Sequence, residues 1–286
     1  MGSNIIQIGS SAVRPSWSQG FARSKSEAAN PSLWDGLVGA WFPSFGATGA
    51  TLHDISPGAK NNGTLTNSPT WVKDYLDFDG VDQRVTFGNN SSLKIQYPLT
   101  IAALVKLPVL TETKTILSTD DWGWLVSNYH GANLGVTAAR ALIIGYGDGL
   151  GARSGNRRSA LTADAAIPVN QWTFVAGIIR SPTSMSLYVD GSTDILSSSS
   201  GSSNSAIGFS TQPVYIGLRS DAYLEGGVKY VIMWDRALAP SETALLAADE
   251  FALPRRKTKT YAIYTAPAGG LSIPVAMHHR KLIGVA

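Results

Sequence analysis

Residues 171–191, which read QWTFVAGIIRSPTSMSLYVDG, decide the fold class of this chain. Residues 172–180 and 184–189 are rich in aromatic and branched aliphatic side chains, a composition that favours β-strands. Ser181-Pro182-Thr183 between them is typical of a turn, and Asp190-Gly191 is a dipeptide that reverses an antiparallel chain. The stretch therefore predicts a β-hairpin.

Short apolar or alternating runs recur on both sides of this hairpin. They predict strands at residues 37–42, 75–79, 84–87, 99–107, 214–218 and 228–234. Gly, Asn and Pro separate these runs, as they do in antiparallel sandwiches and jelly rolls. One helix is predicted over residues 241–251, because Pro240 and Ser241 suit a helix start and Leu245 and Leu246 supply an apolar face. The Ser-rich run 197–205 predicts an exposed loop.

The composition agrees with a β-rich protein that has many turns. The chain has 286 residues, of which 44% are hydrophobic and 15% charged, with 29 Gly and no Cys. It is too apolar for a disordered chain, and no apolar run is long enough for a transmembrane helix. Without Cys there are no disulfides and no thiolate chemistry. Residues 1–14 lack the pattern of a signal peptide, so we expect synthesis in a cytoplasm.

Composition also divides the chain into three predicted regions. Residues 1–32 are a Ser-rich N-terminal docking arm, residues 33–250 carry the strand patterns, and residues 251–286 form a basic C-terminal docking arm. Six of the 23 basic residues and none of the 20 acidic ones lie after position 250. Such an arm either docks on an acidic partner or stays solvated. The candidate docking residues are Arg255, Arg256, Lys257, Lys259, Arg280 and Lys281.

Three groups of segments together resemble a known family. They are residues 36–41 with 61–65 and 76–82, residues 171–176 with 187–191, and residues 214–217 with 234–242. Their order and spacing resemble the laminin-G-like, concanavalin A-like lectin/glucanase jelly-roll superfamily. The resemblance implies an all-β fold: an antiparallel two-sheet jelly-roll sandwich with one short C-terminal helix, flanked by extended arms. Most of the large strand residues should then fill the space between the sheets, namely Trp41, Phe78, Trp172, Phe174, Tyr188 and Trp234.

This superfamily contains hydrolases as well as lectins, and the sequence disfavours a hydrolase. Hydrolases of this fold resemble one another through two Glu that flank an Asp on one strand, as acid and nucleophile. This chain has five Glu, and no two of them fall close together on a predicted strand. It also lacks a Gly-x-Ser-x-Gly elbow, a phosphate loop and a metalloprotease helix motif. We predict that the protein is not an enzyme.

The main candidate for a ligand site is the segment Asp120-Asp121-Trp122-Gly123-Trp124, with Tyr129 shortly after it. Sugars bind through apolar ring faces that contact aromatic side chains, and through acceptors for their hydroxyl groups. Asp120, Asp121, Trp122, Trp124 and Tyr129 supply both kinds of group and are the predicted glycan-binding residues. In the alternative interpretation, one of the two alternating Trp faces the core.

Two further sites have equally simple alternatives. The Gly-rich segment 145–155, bracketed by Arg140, Arg153, Arg157 and Arg158, is either a second polar recognition surface or an ordinary solvated loop. Laminin-G-like modules often bind calcium through loop oxygens, and Asp79 and Asp82 offer such ligands here or simply form turns. No other cofactor is expected.

A cysteine-free jelly roll with two arms also resembles the laminin-G-like proteins carried by tailed bacteriophages. That resemblance implies a non-enzymatic virion component, a capsid or tail decoration or adhesion protein. Its sandwich would face outward on the virion surface and bind host-surface glycans, and its arms would anchor it to other virion proteins. Homo-oligomers or lattice copies are expected, and neither membranes nor nucleic acids are. The alternatives are a secreted or surface carbohydrate-binding adhesin and, less favoured, a glycan-cleaving enzyme.

Overall fold

Short strands dominate the computed structural model, which describes residues 20–46, 49–58, 60–120, 128–193, 196, 198–220 and 222–257. The strands are β1 (Leu37–Trp41), β2 (Thr51–Leu52), β3 (Gly63–Thr66), β4 (Thr70–Val72), β5 (Tyr75–Asp79), β6 (Arg84–Thr86), β7 (Leu99–Lys106), β8 (Lys114–Ser118), β9 (Ala132–Val136), β10 (Leu142–Gly147), β11 (Arg157–Leu161), β12 (Thr173–Ser181), β13 (Ser184–Val189), β14 (Ser192–Thr193), β15 (Ser198–Gly201), β16 (Tyr215–Ile216), β17 (Leu218–Arg219), β18 (Ala222–Tyr223) and β19 (Glu225–Trp234). One α-helix, α1 (Pro240–Ala248), follows them within the described ranges, which also contain four short 3-10 helices: Pro31–Trp34, Pro43–Phe45, Ser91–Leu93 and Ser154–Asn156. No helix in these ranges is long and apolar enough to cross a membrane.

The strands form two large antiparallel sheets. The eight-stranded sheet has the order β14-β13-β12-β7-β19-β5-β4, and β1 also pairs with β19. The nine-stranded sheet has the order β15-β11-β10-β9-β8-β16-β6-β3-β2, and β17 and β18 form a separate ribbon. This arrangement confirms the predicted two-sheet antiparallel sandwich with one short helix near its C-terminal end.

The predicted hairpin is present, and the Asp-Gly dipeptide that follows its second strand has the expected turn geometry. Strands β12 and β13 pair in antiparallel register from Val175 opposite Val189 to Ser181 opposite Ser184. Asp190 and Gly191 then connect β13 to β14, with φ angles of 48° and 78°. Two consecutive residues with positive φ match the twist of the strands that they join, which explains the Asp-Gly dipeptide.

Two apolar cores lie on opposite faces of the eight-stranded sheet. The first fills the space between the two sheets and contains Trp41 and Phe78. The second covers the outer face of the eight-stranded sheet and contains Phe174, Tyr188 and Trp234. The prediction that most of the large strand residues lie between the sheets is therefore wrong. Alternation along a strand sends neighbouring residues to both faces, and both faces of this sheet are covered.

The second core is covered by two chain segments, residues 20–34 and 251–257, which are hydrogen-bonded to each other. The Ala22 amide donates to the Pro254 carbonyl (2.9 Å), and the Lys257 amide donates to the Glu27 carbonyl (2.8 Å). The Trp34 indole N–H donates to the Leu253 carbonyl at 3.0 Å. The division of the chain at residues 32 and 250 stays a prediction, but the described parts of both arms pack against the sandwich.

Several predicted boundaries differ from the structure. The helix begins at Pro240 and ends at Ala248, because Asp249 has an extended backbone. The predicted loop 197–205 contains edge strand β15, which pairs with β11. The Gly-rich segment 145–155 is strand as far as Gly147, and strands β8 to β11 were not predicted at all.

Arg236 joins the segment before β1 to the helix. Its guanidinium donates to both carboxylate oxygens of Glu242, at 2.7 and 2.8 Å, and to the backbone carbonyls of Ser32 and Asp35. Burial by itself would raise the pKa of Glu242. The hydrogen bonds from Arg236 and from the Ala239 amide more than offset that effect, so the pKa lies below its usual value.

The lowered pKa of Glu242 predicts acid-sensitive stability. A carboxylate whose pKa is lower in the folded state stabilises the fold above its unfolded pKa, and that contribution disappears as the pH falls through the folded pKa. We expect Glu242→Gln to be less stable than the wild type at pH 7, with a smaller difference at pH 3. Urea unfolding of both proteins at pH 7 and pH 3 measures the difference in their free energies of unfolding. The same difference at both pH values would contradict a stabilising role of the ionised Glu242 carboxylate.

Candidate functional site

A row of polar residues crosses the whole outer face of the nine-stranded sheet. The pairing register places one residue of each strand directly opposite one residue of the next strand, so that these residues form a line across this face. The row, which we call the polar row, consists of Thr51, Thr64, Thr86, Tyr215, Ser118, Asn133, Gly145, Ser159 and Ser200. Their strand neighbours, such as Val85, Leu134 and Ile144, belong to the core between the sheets. The row therefore faces away from that core.

The polar row offers groups that bind hydroxyl-rich ligands. Tyr215 supplies an aromatic ring between Thr86 and Ser118, and hydroxyl and amide groups flank it on both sides. The Ser159 and Ser200 hydroxyls are 2.7 Å apart and hydrogen-bonded to each other. The Asn133 side chain is only 2% exposed, and its Nδ2 has no hydrogen-bond partner. A buried amide donor without a partner is costly, which makes it a candidate ligand contact.

Three loop segments lie together at one end of this face. We call residues 128–131, 147–157 and 203–210 the loop cluster. Backbone hydrogen bonds join them, from the Gly131 amide to the Gly208 carbonyl (2.7 Å) and from the Gly149 amide to the Tyr129 carbonyl (2.8 Å). At Gly147 a Cβ atom would lie 2.3 Å from the Tyr129 carbonyl carbon, so only glycine lets Tyr129 lie across the strand.

Tyr129 and Arg157 form the most distinctive pair in the loop cluster. The Arg157 guanidinium carbon lies 4.9 Å from the centre of the Tyr129 ring, and Nη1 donates to the Tyr129 hydroxyl at 3.2 Å. Arg157 is opposite Gly147 in the ladder, so its side chain shares the face of the polar row. Its Nε is buried without a hydrogen-bond partner, as is Nδ1 of His130.

Asp120 anchors the loop cluster from inside. Its side chain is fully buried, and its carboxylate accepts hydrogen bonds from the Ser210 amide and hydroxyl, both at 2.6 Å. The Lys94 ammonium lies 3.2 Å from the same carboxylate and also donates to the Ser210 and Gln212 carbonyls. Both oxygens of Asp120 are engaged inside the chain, so its role in the described structure is to position the loop. It does not present an acceptor at the surface.

The other predicted site residues are dispersed. Asp121, Trp122, Trp124, Lys259, Arg280 and Lys281 lie outside the described residues, and glycan binding at segment 120–124 stays a prediction. The Asp79 carboxylate accepts the Val81 amide at 2.9 Å, which is the turn geometry given as the alternative to calcium. No group of three or more acidic or His residues suited to a metal occurs in the described ranges. Calcium binding at Asp79 and Asp82 is untested.

Two of the candidate docking residues of the C-terminal arm, Arg255 and Arg256, form ion pairs with residues of the described chain. Arg255 forms a bidentate ion pair with Asp249, with both hydrogen bonds at 2.8 Å. Arg256 lies 3.6 Å from the Glu27 carboxylate. These contacts hold residues 251–257 against the sandwich, and docking on another protein remains a prediction for them.

Two stacked antiparallel sheets with a polar outer face define a lectin-like jelly roll. A family model described as the concanavalin A-like lectin/glucanases superfamily matches residues 79–244, more than half of the chain. The chain belongs to this superfamily. No curated protein matches the chain.

Solved structures with the same fold are distant in sequence. The binding domain of botulinum neurotoxin serotype G is 12% identical, with a TM-score of 0.54 over 74% of this chain and 50% of that one. The binding domain of Paraclostridial mosquitocidal protein 1 is 16% identical, with a TM-score of 0.53 over 77% and 53%. Trypanosoma rangeli sialidase in complex with sialic acid is 18% identical, with a TM-score of 0.52 over 74% and 32%. The chain thus spans about a third of the sialidase and half of each toxin domain, and these likenesses establish the fold alone.

Proposed function

We propose that this protein is a glycan-binding module whose ligand lies along the polar row. The observation that carries the proposal is the row itself, in which nine strands each contribute a hydroxyl, an amide, a phenol or a glycine to the face opposite the core. The four members in the middle of the row are buried, and the exposed or half-exposed members lie at its two ends, with Tyr215 at one end and Ser200 at the other. Sugars need such closely spaced hydrogen-bonding groups together with an aromatic surface. Membership of a superfamily that includes lectins supports the same interpretation.

We propose further that the module binds its ligand without cleaving it. Glycoside hydrolysis commonly uses two carboxyl groups about 5–9.5 Å apart across the scissile bond. The nine residues of the polar row include no Asp or Glu, and Asp120, which follows Ser118 of the row by two residues, is engaged with Lys94 and Ser210. These facts favour binding over hydrolysis.

The position of the arms supports an anchored module. The described residues begin at Gly20 and end at Lys257. Both of these residues belong to the segments, 20–34 and 251–257, that cover the eight-stranded sheet. The polar row faces outward from the other sheet. Anchoring through the arms would therefore leave the exposed and half-exposed members of the polar row, such as Thr64, Tyr215 and Ser200, free to meet a ligand. We propose that other virion proteins hold the arms, and that the polar row contacts glycans of a host surface.

Replacing Tyr215 tests the glycan-binding proposal. We expect Tyr215→Ala to weaken binding of the full chain to glycans on an array by about 10-fold, since loss of an aromatic contact removes about 1–1.5 kcal/mol. Tyr75→Ala is the matched control, because Tyr75 is a half-buried tyrosine on the outer face of the opposite sheet. Thermal melting checks that both variants fold. Equal losses in the two variants, or no glycan binding by the wild type, would overturn the proposal.

A further inference from the structure

We infer that the loop cluster holds the anionic group of an acidic sugar, with Arg157 as its main contact. This inference rests on the proposed glycan-binding function and specifies its ligand class. Arg157 lies on β11 two residues before Ser159, a member of the polar row, which corresponds to about 7 Å along a strand. A sugar bound along the row would therefore reach the guanidinium with a substituent of a neighbouring ring.

The charge of Arg157 is not neutralised within the described chain. The ion pairs that the described residues form do not include Arg157. The nearest acidic residue along the ladder is Asp148, and alternation places it on the opposite face from Gly147 and Arg157. Asp148 accepts hydrogen bonds from the Ser203 hydroxyl and the Leu150 amide instead. The guanidinium is thus a half-buried cation on the ligand face with no carboxylate partner among the described residues.

Two buried nitrogen atoms of the loop cluster also lack hydrogen-bond partners. Nε of Arg157 and Nδ1 of His130 are both buried and make no hydrogen bond. Tyr129 holds the guanidinium in place, because its ring centre lies 4.9 Å from the guanidinium carbon and its hydroxyl accepts a hydrogen bond from Nη1. A guanidinium held in place, with part of its donor fork unused, suits bidentate binding of a carboxylate or sulfate. Neutral hydroxyl groups would leave its charge without compensation.

The test compares acidic and neutral sugars on the full chain. The probes are a uronic-acid oligosaccharide, its carboxyl-reduced counterpart and a sulfated oligosaccharide of equal length. We expect at least one acidic probe to bind about 10-fold or more tightly than the reduced probe, with the preference falling as salt is raised. Comparison of the two acidic probes shows whether the site prefers a carboxylate or a sulfate. Equal binding of all three probes would overturn this inference but leave glycan binding intact.

Two variants test whether Arg157 is the contact. Arg157→Gln should abolish the preference for the acidic probe, while binding of the neutral probe stays within about 2-fold. Arg180→Gln is the matched control, because Arg180 lies on β12 in the other sheet and donates to the Ser186 hydroxyl. An acidic preference that persists in Arg157→Gln, or that disappears equally in Arg180→Gln, would refute the assignment. If Tyr215→Ala instead lowers binding of acidic and neutral probes alike, the polar row and the anion contact are separate parts of one site.

Discussion

Lys94→Met is expected to lower the free energy of unfolding by about 3–5 kcal/mol, because it leaves the Asp120 carboxylate buried without its cation. The Lys94 and Asp120 side chains are only 7% and 0% exposed. Lys94 also donates to the Ser210 and Gln212 carbonyls, so its loss removes this donor from both of them. Urea unfolding of the variant and the wild type at pH 7 measures the effect.

Two companion variants separate the buried pair from a general effect of losing a lysine. Lys25→Met removes a lysine whose ion pair with Asp35 is exposed, with side chains 57% and 50% exposed, and it should cost less than about 1 kcal/mol. The double variant Lys94→Met/Asp120→Asn removes both charges and should be more stable than Lys94→Met alone. A Lys94→Met protein as stable as Lys25→Met would show that the pair does not hold the loop cluster. Loss of glycan binding in Lys94→Met with retained stability would point instead to a direct ligand contact.

The fold was predictable because its strongest signals are local. Residues 172–180 and 184–189 combine strand-forming side chains with a turn dipeptide, and the hairpin between β12 and β13 forms where these signals predict it. The order of the family-like segments extended that hairpin to a sandwich, which the sheets and the family match confirm.

The polar row was not predictable, because only strand register brings it together. Its members range from Thr51 to Tyr215 along the chain, and each belongs to a short strand. Strands β9 and β10 place Gly135, Gly145 and Gly147 on the outer face, and glycine lowers the strand signal in a sequence. The sequence of segment 145–155 therefore resembles that of a loop, and it indicates Arg157 only as a residue beside that loop. Alternation within ANLGV and LIIGYG was the one local signal that could have revealed these strands.

The second core was missed for a related reason. Phe21 and Leu253 belong to short apolar segments without periodicity, and they pack on the same sheet although more than 200 residues separate them. No local sequence pattern predicts that two such distant segments pack on the same sheet. As a result, the predicted arms included residues that the sandwich needs, and this changes how the arms should be studied.

Removing residues 251–286 is expected to lower the free energy of unfolding by about 5–8 kcal/mol relative to a chain that ends at Lys257. Phe251, Ala252 and Leu253 are buried in the second core, and burial of a large apolar side chain contributes about 1.5–3 kcal/mol. The truncation also leaves the buried Trp34 indole N–H without its acceptor, which costs about 1–3 kcal/mol more. A loss of this size approaches the whole stability of an ordinary domain, so the shorter chain should be largely unfolded at 25 °C.

The chain that ends at Lys257 is the matched control, because it keeps every described contact of residues 251–257. Urea unfolding and near-UV circular dichroism of the two chains measure the difference. Equal stability of the two would show that residues 251–257 add nothing to the fold.

The same pair of chains decides how the virion proposal is tested. A chain that ends at residue 250 would fail to join particles merely because it is unfolded. Only the chain that ends at Lys257 removes Lys259, Arg280 and Lys281 while keeping the second core. If the arms anchor the protein, this chain should stay folded and bind glycans but no longer join purified particles.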